Sequence, residues 1–299
     1  MSANFLDGAA LYGQWRADID SGKKPVVYPV AEADNPLNGI EWGPGQVSLF
    51  GAPPAAGKTT LVMQLAFDAV KFNPNLKVAV CNVEMSPAKL LDRQLARLAG
   101  IPYTAIRKRN LTKEHGEALA RGFVDLEQRL KRVAFVKPPY NLINVANTAD
   151  TFGADLILLD YVQRIGGTKE YADKRLGLNA VMDAVRGFAE AGCAVVVVSA
   201  VGRQKNDNGK NSYDDLNLAS FRESSELEYG ADSAYILIRL NGSEAAVLKC
   251  VKNRDGDPQD IPLRFVGDYQ RFEPSNIPKE PLTNAVRNLW ANDGEGSDW

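Results

Sequence analysis

Apolar residues along this chain come in two rhythms. Val47–Phe50, Lys77–Val83, Val133–Val136, Leu156–Leu159 and Ala194–Ser199 are short, nearly continuous apolar runs. Leu-Ile-Leu-Leu and Val-Val-Val-Val lack the alternation of a half-exposed strand, so they predict strands covered on both faces, as in a parallel sheet between helices. The segments between them carry helical spacing. Leu61, Leu65, Ala69 and Phe72 share one side of a helix over Thr60–Phe72, and Leu119, Phe123, Leu126 and Leu130 do so over Lys113–Lys131. Leu90, Leu91, Leu95 and Leu98 follow Ser86-Pro87, an N-cap with a first-turn proline, and Gly100 ends that helix. A further helix is expected near Leu176–Ala191. At the N-terminus Phe5, Leu6, Leu11 and Trp15 predict an amphipathic helix that stops at Ser21-Gly22-Lys23-Lys24-Pro25. After Tyr229 the pattern changes to short strands and turns: Ser233–Arg239, Asn241-Gly242, Ala245–Lys252, Asp255-Gly256-Asp257-Pro258 and Pro262–Val266. These predict antiparallel hairpins on the C-terminal edge of the sheet.

The expected organisation is an N-terminal helix and connector over 1–34, one α/β domain over 35–273, and a flexible tail over 274–299. Length agrees, since 299 residues suffice for one domain of about 250 residues with short ends. With 35 basic and 37 acidic side chains, the surface as a whole attracts no polyanion, and any nucleic-acid contact must be local. A single histidine, His115, nearly excludes an imidazole zinc site and a Ser-His-Asp hydrolase, and its polar helical surroundings suggest a solvated face. Cys81, Cys193 and Cys250 lie inside apolar runs and read as buried thiols of a reducing compartment. The N-terminus has no basic-then-apolar leader, and no apolar run approaches the ~18 residues of a membrane span. The expectation is a soluble, cytoplasmic protein without a membrane partner.

The sharpest chemical signal is the stretch Gly51-Ala52-Pro53-Pro54-Ala55-Ala56-Gly57-Lys58-Thr59-Thr60 between a strand and a helix. Such a loop wraps backbone N–H groups around nucleotide phosphates at the positive end of the following helix. Gly57 permits close approach, Lys58 reaches the β- and γ-phosphates, and Thr59 offers a hydroxyl to Mg²⁺. The first glycine of the usual pattern is replaced by Ala52. A buried strand ends in Asp160, a carboxylate suited to a magnesium shell. Glu84 directly follows another strand, so it should sit at the same carboxyl edge, as a general base for water or as a capping acid ahead of Ser86.

In order, the phosphate loop, Asn82-Val83-Glu84-Met85, Leu159-Asp160-Tyr161-Val162-Gln163, Val198-Ser199-Ala200-Val201-Gly202-Arg203, Phe221-Arg222-Glu223-Ser224 and Lys252-Asn253-Arg254-Asp255-Gly256 follow one another. This series resembles the RecA-like motor domain of DnaB-type replicative helicases over about Asn35 to Phe272. That family also has alanine at the position of Ala52. The resemblance implies a RecA-like P-loop NTPase fold using ATP and Mg²⁺, with Lys58, Thr59, Glu84 and Asp160 at the nucleotide. It places Arg203 in a strand-end motif, and Lys252 and Arg254 on the pair that reaches a neighbour's γ-phosphate. It implies a homo-oligomeric ring, a hexamer, on single-stranded DNA, served by a loader or another replication partner. The loops after Tyr161–Ile165 and after Arg203 would face DNA. Arg164, Lys169, Lys174, Arg175, Lys205 and Lys210 give them a basic bias in an acidic chain. Tyr171 and Tyr213 are candidates to stack on bases.

Two features depart from that family. Its glutamine after the strand-end serine, able to sense the γ-phosphate, is Ala200 here. Bacterial members also carry a helical domain that docks primase, whereas about 34 residues precede the motor, and the helix near Leu6–Asp20 corresponds to the family's linker helix. The leading expectation is an ATP-dependent DNA helicase or translocase. The alternatives are a RecA-like ATPase serving as a DNA clamp, loader or switch, and a nucleotide-dependent scaffold acting on protein.

Overall fold

In the run Leu156–Asp160, Leu156 and Leu158 belong to one apolar core while Ile157 and Leu159 belong to another. The same division splits Val196 and Val198 from Val195 and Val197 in Ala194–Ala200. Unbroken apolar runs are therefore strands with a core on each side, as their lack of alternation predicts.

The computed structural model describes residues 7–167, 174–202, 204–205, 211–212, 216–221, 225–239 and 243–275. The elements in chain order are α1 (Gly8–Asp20), β1 (Val47–Ala52), α2 (Lys58–Phe72), β2 (Val78–Asn82), α3 (Pro87–Ala99), α4 (Tyr103–Lys108), α5 (Gly116–Leu130) and β3 (Val133–Phe135). There follow α6 (Leu142–Phe152), β4 (Leu156–Asp160), α7 (Lys174–Glu190), β5 (Ala194–Ala200), the small ribbon β6 (Gln204–Lys205) and β7 (Asn211–Ser212), and α8 (Ser225–Gly230). The last described elements are β8 (Ser233–Arg239), β9 (Ala245–Asn253), β10 (Ile261–Val266) and β11 (Arg271–Pro274). Among the described residues the main sheet has nine strands in the order β11-β10-β9-β8-β1-β5-β4-β2-β3. Strands β3, β2, β4, β5, β1 and β8 are parallel, and β9, β10 and β11 continue antiparallel.

One expectation is corrected. Ser233–Arg239 does not lie on the sheet's edge: it pairs in parallel with β1, Ser48 opposite Ser233 and Gly51 opposite Ile236. It is buried on both faces, Tyr235 and Leu237 toward one core and Ala234 and Ile236 toward the other. The helical crossover through α8 makes this possible, because a tight turn can join only antiparallel neighbours. The edge character begins with β10, where Ile261, Leu263 and Phe265 are buried in alternation.

Helices α2, α3 and α5 cover one face of the sheet, and α6 and α7 the other. The first layer is laced by a buried ionic group. Asp68 of α2 accepts from Arg97 of α3 through both oxygens at 2.9 Å and from Arg129 of α5 at 2.6 Å. Asp125 holds the other side of Arg129 at 2.8 Å. Gln64 of α2 accepts from Phe272 N at 2.8 Å and donates to Phe272 O at 2.7 Å, pairing with the outermost strand as another strand would.

Helix α1 forms as expected, with the Asp7 carboxylate accepting from Ala9 N and Ala10 N. Leu11, Tyr12, Trp15 and Ile19 are all more than half exposed. His115 is half-buried and caps a turn, its Nδ1 accepting from Thr112 N at 3.0 Å, in place of the solvated helical face expected. The cysteines are free, Cys81 and Cys250 buried and Cys193 partly so. Burial, with Asp160 nearby as the second cause, pushes the Cys81 thiol up to about 12. No described helix is long and apolar enough to cross a membrane.

Candidate nucleotide site at the carboxyl edge of the sheet

Parallel strands bring their carboxyl ends to one edge, and the fold uses this edge to gather residues distant in sequence. In the β2–β4 pairing Asn82 lies opposite Asp160, and in the β1–β5 pairing Ala52 lies opposite Ala200. The phosphate loop leaves β1 at Ala52, whose methyl is buried in the core, so alanine fits where the usual pattern has glycine. Pro53 closes a turn by accepting from Ala56 N at 3.3 Å. Ala55 and Gly57 adopt left-handed backbone at φ 63° and 100°. Gly57 has two reasons to be glycine: its φ, and the Phe272 ring, which a Cβ would approach to 3.0 Å. Helix α2 starts at once, aiming its unpaired first-turn N–H groups back toward the loop.

Thr59 Oγ1 donates to Asp160 Oδ2 at 2.7 Å, and Asn82 Nδ2 donates to the same oxygen at 2.6 Å. The other carboxylate oxygen, Oδ1, is buried with no partner among the described residues. Burial is the main reason that the Asp160 carboxyl is raised to about 6; Thr59 and Lys58 oppose the rise, and Glu84 adds to it. A carboxyl that burial makes costly to ionise, with one oxygen left without a partner among the described residues, suits a cation at the head of a phosphate loop.

The Asn82 amide also shapes the next residues, its oxygen accepting from Glu84 N at 3.1 Å and Met85 N at 2.7 Å. Glu84 is exposed, and no hydrogen bond among the described residues engages its carboxylate. It is thus not an acid capping α3. Lys58 Nζ lies 5.7 Å from the centre of the Tyr161 ring, and the Arg164 guanidinium lies 5.8 Å from the same centre. Arg93, which sequence reasoning missed, donates to Thr60 Oγ1 at 3.0 Å.

Lys252 and Arg254 are elsewhere. Arg254 follows β9, and its backbone N–H donates to Asp232 O at 3.0 Å, beside the start of β8. Asp232 in turn accepts from Val47 N, at the start of β1. Both residues therefore stand at the amino edge of the sheet, separated from the phosphate loop by the length of β1, about 17 Å for six residues. Lys252 Nζ donates to Glu228 O at 2.6 Å, and burial together with the Arg254 charge depresses its pKa. Arg203, Lys169 and Lys210, together with Tyr171 and Tyr213, lie outside the described residues, as do the side chains of Lys174, Arg175 and Lys205.

Sheet order, loop and aspartate define a RecA-like P-loop domain. Solved structures agree on the fold. One of them, solved as an ATPase domain, superposes with a TM-score of 0.77 at 18% identity, covering 91% of this chain and 100% of that one. A DnaB-like replicative helicase, solved in a study of its interactions with primase, gives 0.75 at 17%, over 91% of this chain and 67% of that one. A probable plasmid replicative DNA helicase of Chlamydia trachomatis is 23% identical over 275 residues, 88% of this chain and 56% of that protein. The replicative DNA helicase DnaB of Treponema pallidum is 24% identical over 232 residues, 76% and 51% respectively. The chain spans about half the length of the curated relatives it matches. Residues 29–274 match the DnaB-like helicase C-terminal domain, and the chain belongs to that family.

Proposed function

We propose that this protein is an ATP-driven motor of the DnaB type that acts on single-stranded DNA as a ring of identical subunits. The observation that carries the reading is the meeting of Thr59 and Asp160, 2.7 Å apart across 101 positions of sequence, beneath a helix N-terminus. A hydroxyl, a carboxylate with one open oxygen and a cradle of N–H groups form a donor set for a magnesium nucleotide. Thr59 and Asp160 would hold Mg²⁺, which neutralises charge on the phosphate oxygens. The backbone of 53–60 would bind the phosphates of ATP, and Lys58 would be drawn from the face of Tyr161 to the β- and γ-phosphates. Glu84, exposed and unengaged beside them, would take the proton of the attacking water.

Residues 35–273 would form the motor and 1–34 the linker. Helix α1, with its apolar side chains exposed, would pack on a neighbouring subunit. Lys252 and Arg254 would complete the neighbour's site, since their own lies at the opposite edge of the sheet. Lys169, Lys174, Arg175, Lys205 and Lys210, with Arg164 and Arg203, would track the DNA backbone within the ring, and six subunits would close it. A second reading, a DNA clamp or switch without processive unwinding, is favoured by Ala200, which offers no polar side chain at the end of β5.

The decisive experiment measures ATP turnover with and without single-stranded DNA, together with displacement of a labelled strand. DNA-stimulated turnover that Lys58→Ala abolishes, with strand displacement, is the expected result. Stimulated turnover without displacement selects the clamp or switch. Turnover indifferent to DNA would overturn both.

A further inference from the structure

Gln163 uses both ends of its side-chain amide to tie two strand ends together. Its Nε2 donates to Ser199 Oγ at 2.7 Å, and its Oε1 accepts from Ala200 N at 3.3 Å. The Ser199 hydroxyl donates to Ala200 O at 3.0 Å, closing the group. Ser199 is fully buried and Gln163 half-buried. Both atoms of the amide are engaged, and its orientation is set by them.

The position of this tie gives it a consequence. Gln163 lies on the short 3-10 turn Val162–Arg164, three residues beyond Asp160. Ser199 and Ala200 end β5, just past Val198, the residue opposite Asp160. The chain leaves the sheet edge at these two places as the basic segments 164–175 and 203–210. The root of the second segment is also pinned. Val201 pairs with Phe221, Gly202 N donates to Ser220 O at 2.8 Å, and a Cβ on Gly51 would meet both Val201 and Phe221 at 2.5 Å. The strand feeding the phosphate loop therefore rests directly on that root.

We infer that Gln163 is a positioning residue that transmits the state of the nucleotide site to both basic segments, by locking the turn after Asp160 to the end of β5. Held this way, the described roots of the two segments, Val162–Arg164 and the end of β5, would shift together with the end of β4. Without the amide the side-chain link between the turn after Asp160 and the end of β5 is lost, and only the backbone pairing of β4 with β5 joins them. The inference rests on the reading of those segments as DNA-facing.

The test is the ratio of affinities for a fluorescent oligo-dT strand with and without a non-hydrolysable ATP analogue, measured on the full chain by anisotropy. Such coupling ratios are typically about 5–150-fold. Gln163→Met keeps the volume and removes both hydrogen bonds; Ser199→Ala removes one oxygen from the other side of the tie. In each, the ratio should fall toward one while analogue affinity without DNA stays at the wild-type level. The double variant should fall no further than either single change, as expected for two halves of one interaction. A wild-type ratio in either folded variant would overturn the inference alone, as would loss of analogue binding itself. A wild-type protein that binds no DNA, or binds it without regard to the analogue, would overturn the DNA-facing reading and the inference with it.

Discussion

Arg254 donates to the carboxylate of Asp232 at 2.9 Å while its other guanidinium nitrogen donates to Tyr229 O at 2.7 Å. Arg186 of α7 takes the same carboxylate in a two-pronged grip at 2.8 and 2.6 Å. The arginine that the family resemblance assigns to a neighbour's phosphate is thus held in place by its own chain, at the edge of the sheet remote from its own loop.

That geometry separates action within a subunit from action between subunits. Arg254→Ala should fold, bind ATP and hydrolyse it about 10³–10⁵ times more slowly, the range for a lost arginine finger. Mixing it with Lys58→Ala protein should restore turnover, because some sites then pair an intact Lys58 with an intact Arg254 from the next subunit. Absence of rescue in verified mixed rings would show that Arg254 acts within its own subunit, through its pairing with Asp232, and not on a neighbour's phosphate.

Asp232 also bears on stability in acid. Burial alone would raise its carboxyl, but the hydrogen bond from Arg186, the Val47 N–H and the charges of Arg186 and Arg254 outweigh burial and hold it below the ordinary 3.8. A depressed folded value means a contribution present above pH 3.8 and lost as pH falls through the lower, folded value. Asp232→Asn should lower the urea midpoint at neutral pH and remove part of its decline in acid. An identical acid profile in the variant would refute the pairing as a source of stability.

Asp160 should show the reverse balance between stability and function. Its ionised form is buried with one oxygen that has no partner among the described residues, so Asp160→Asn should raise the denaturation midpoint of the nucleotide-free protein. The same change should reduce ATP turnover on the order of 10²–10³, the usual loss when a charge-stabilising group is taken from the reacting centre. Lower stability in the variant would mean that the carboxylate serves the fold.

Asp68 holds two buried guanidinium groups, and removing it leaves Arg129 with Asp125 and Arg97 with the Gln94 amide oxygen as its remaining side-chain partner among the described residues. Asp68→Ala should cost about 3–5 kcal/mol, the range for breaking a buried ion pair by deleting one partner. Urea unfolding measures the loss directly. Exchanging Asp68, Arg97 and Arg129 together for apolar residues of similar volume should restore much of it.

Much of the architecture was legible in local pattern. Leu156–Asp160 announced a two-sided strand, and Ser86-Pro87 and Gly100 marked both ends of α3. Gly57-Lys58-Thr59 between strand and helix announced a phosphate cradle. Helix α6 escaped, although Asn141 caps its start, Gly153 takes left-handed backbone at its end, and Leu142, Val145 and Ala149 are buried at helical spacing. Those signals were present and could have found it. Helix α4 has six residues and one fully buried side chain, too little periodicity to detect.

Local sequence therefore specified the chemistry carried by neighbours in the chain: strand and helix period, caps, and the loop that precedes α2. Which distant groups meet was settled only by the folded arrangement. It put Asn82 and Thr59 on one oxygen of Asp160, Gln163 between Ser199 and Ala200, and Asp68 between two arginines. It also moved Ser233–Arg239 from an expected edge to a place beside β1. Periodicity records only which face of an element is apolar, because a side chain's burial follows from its own segment's pattern. Strand order and polar partners depend on crossovers spanning tens of residues, and a carboxylate has the same one-letter code whether it meets water, an arginine or a phosphate loop.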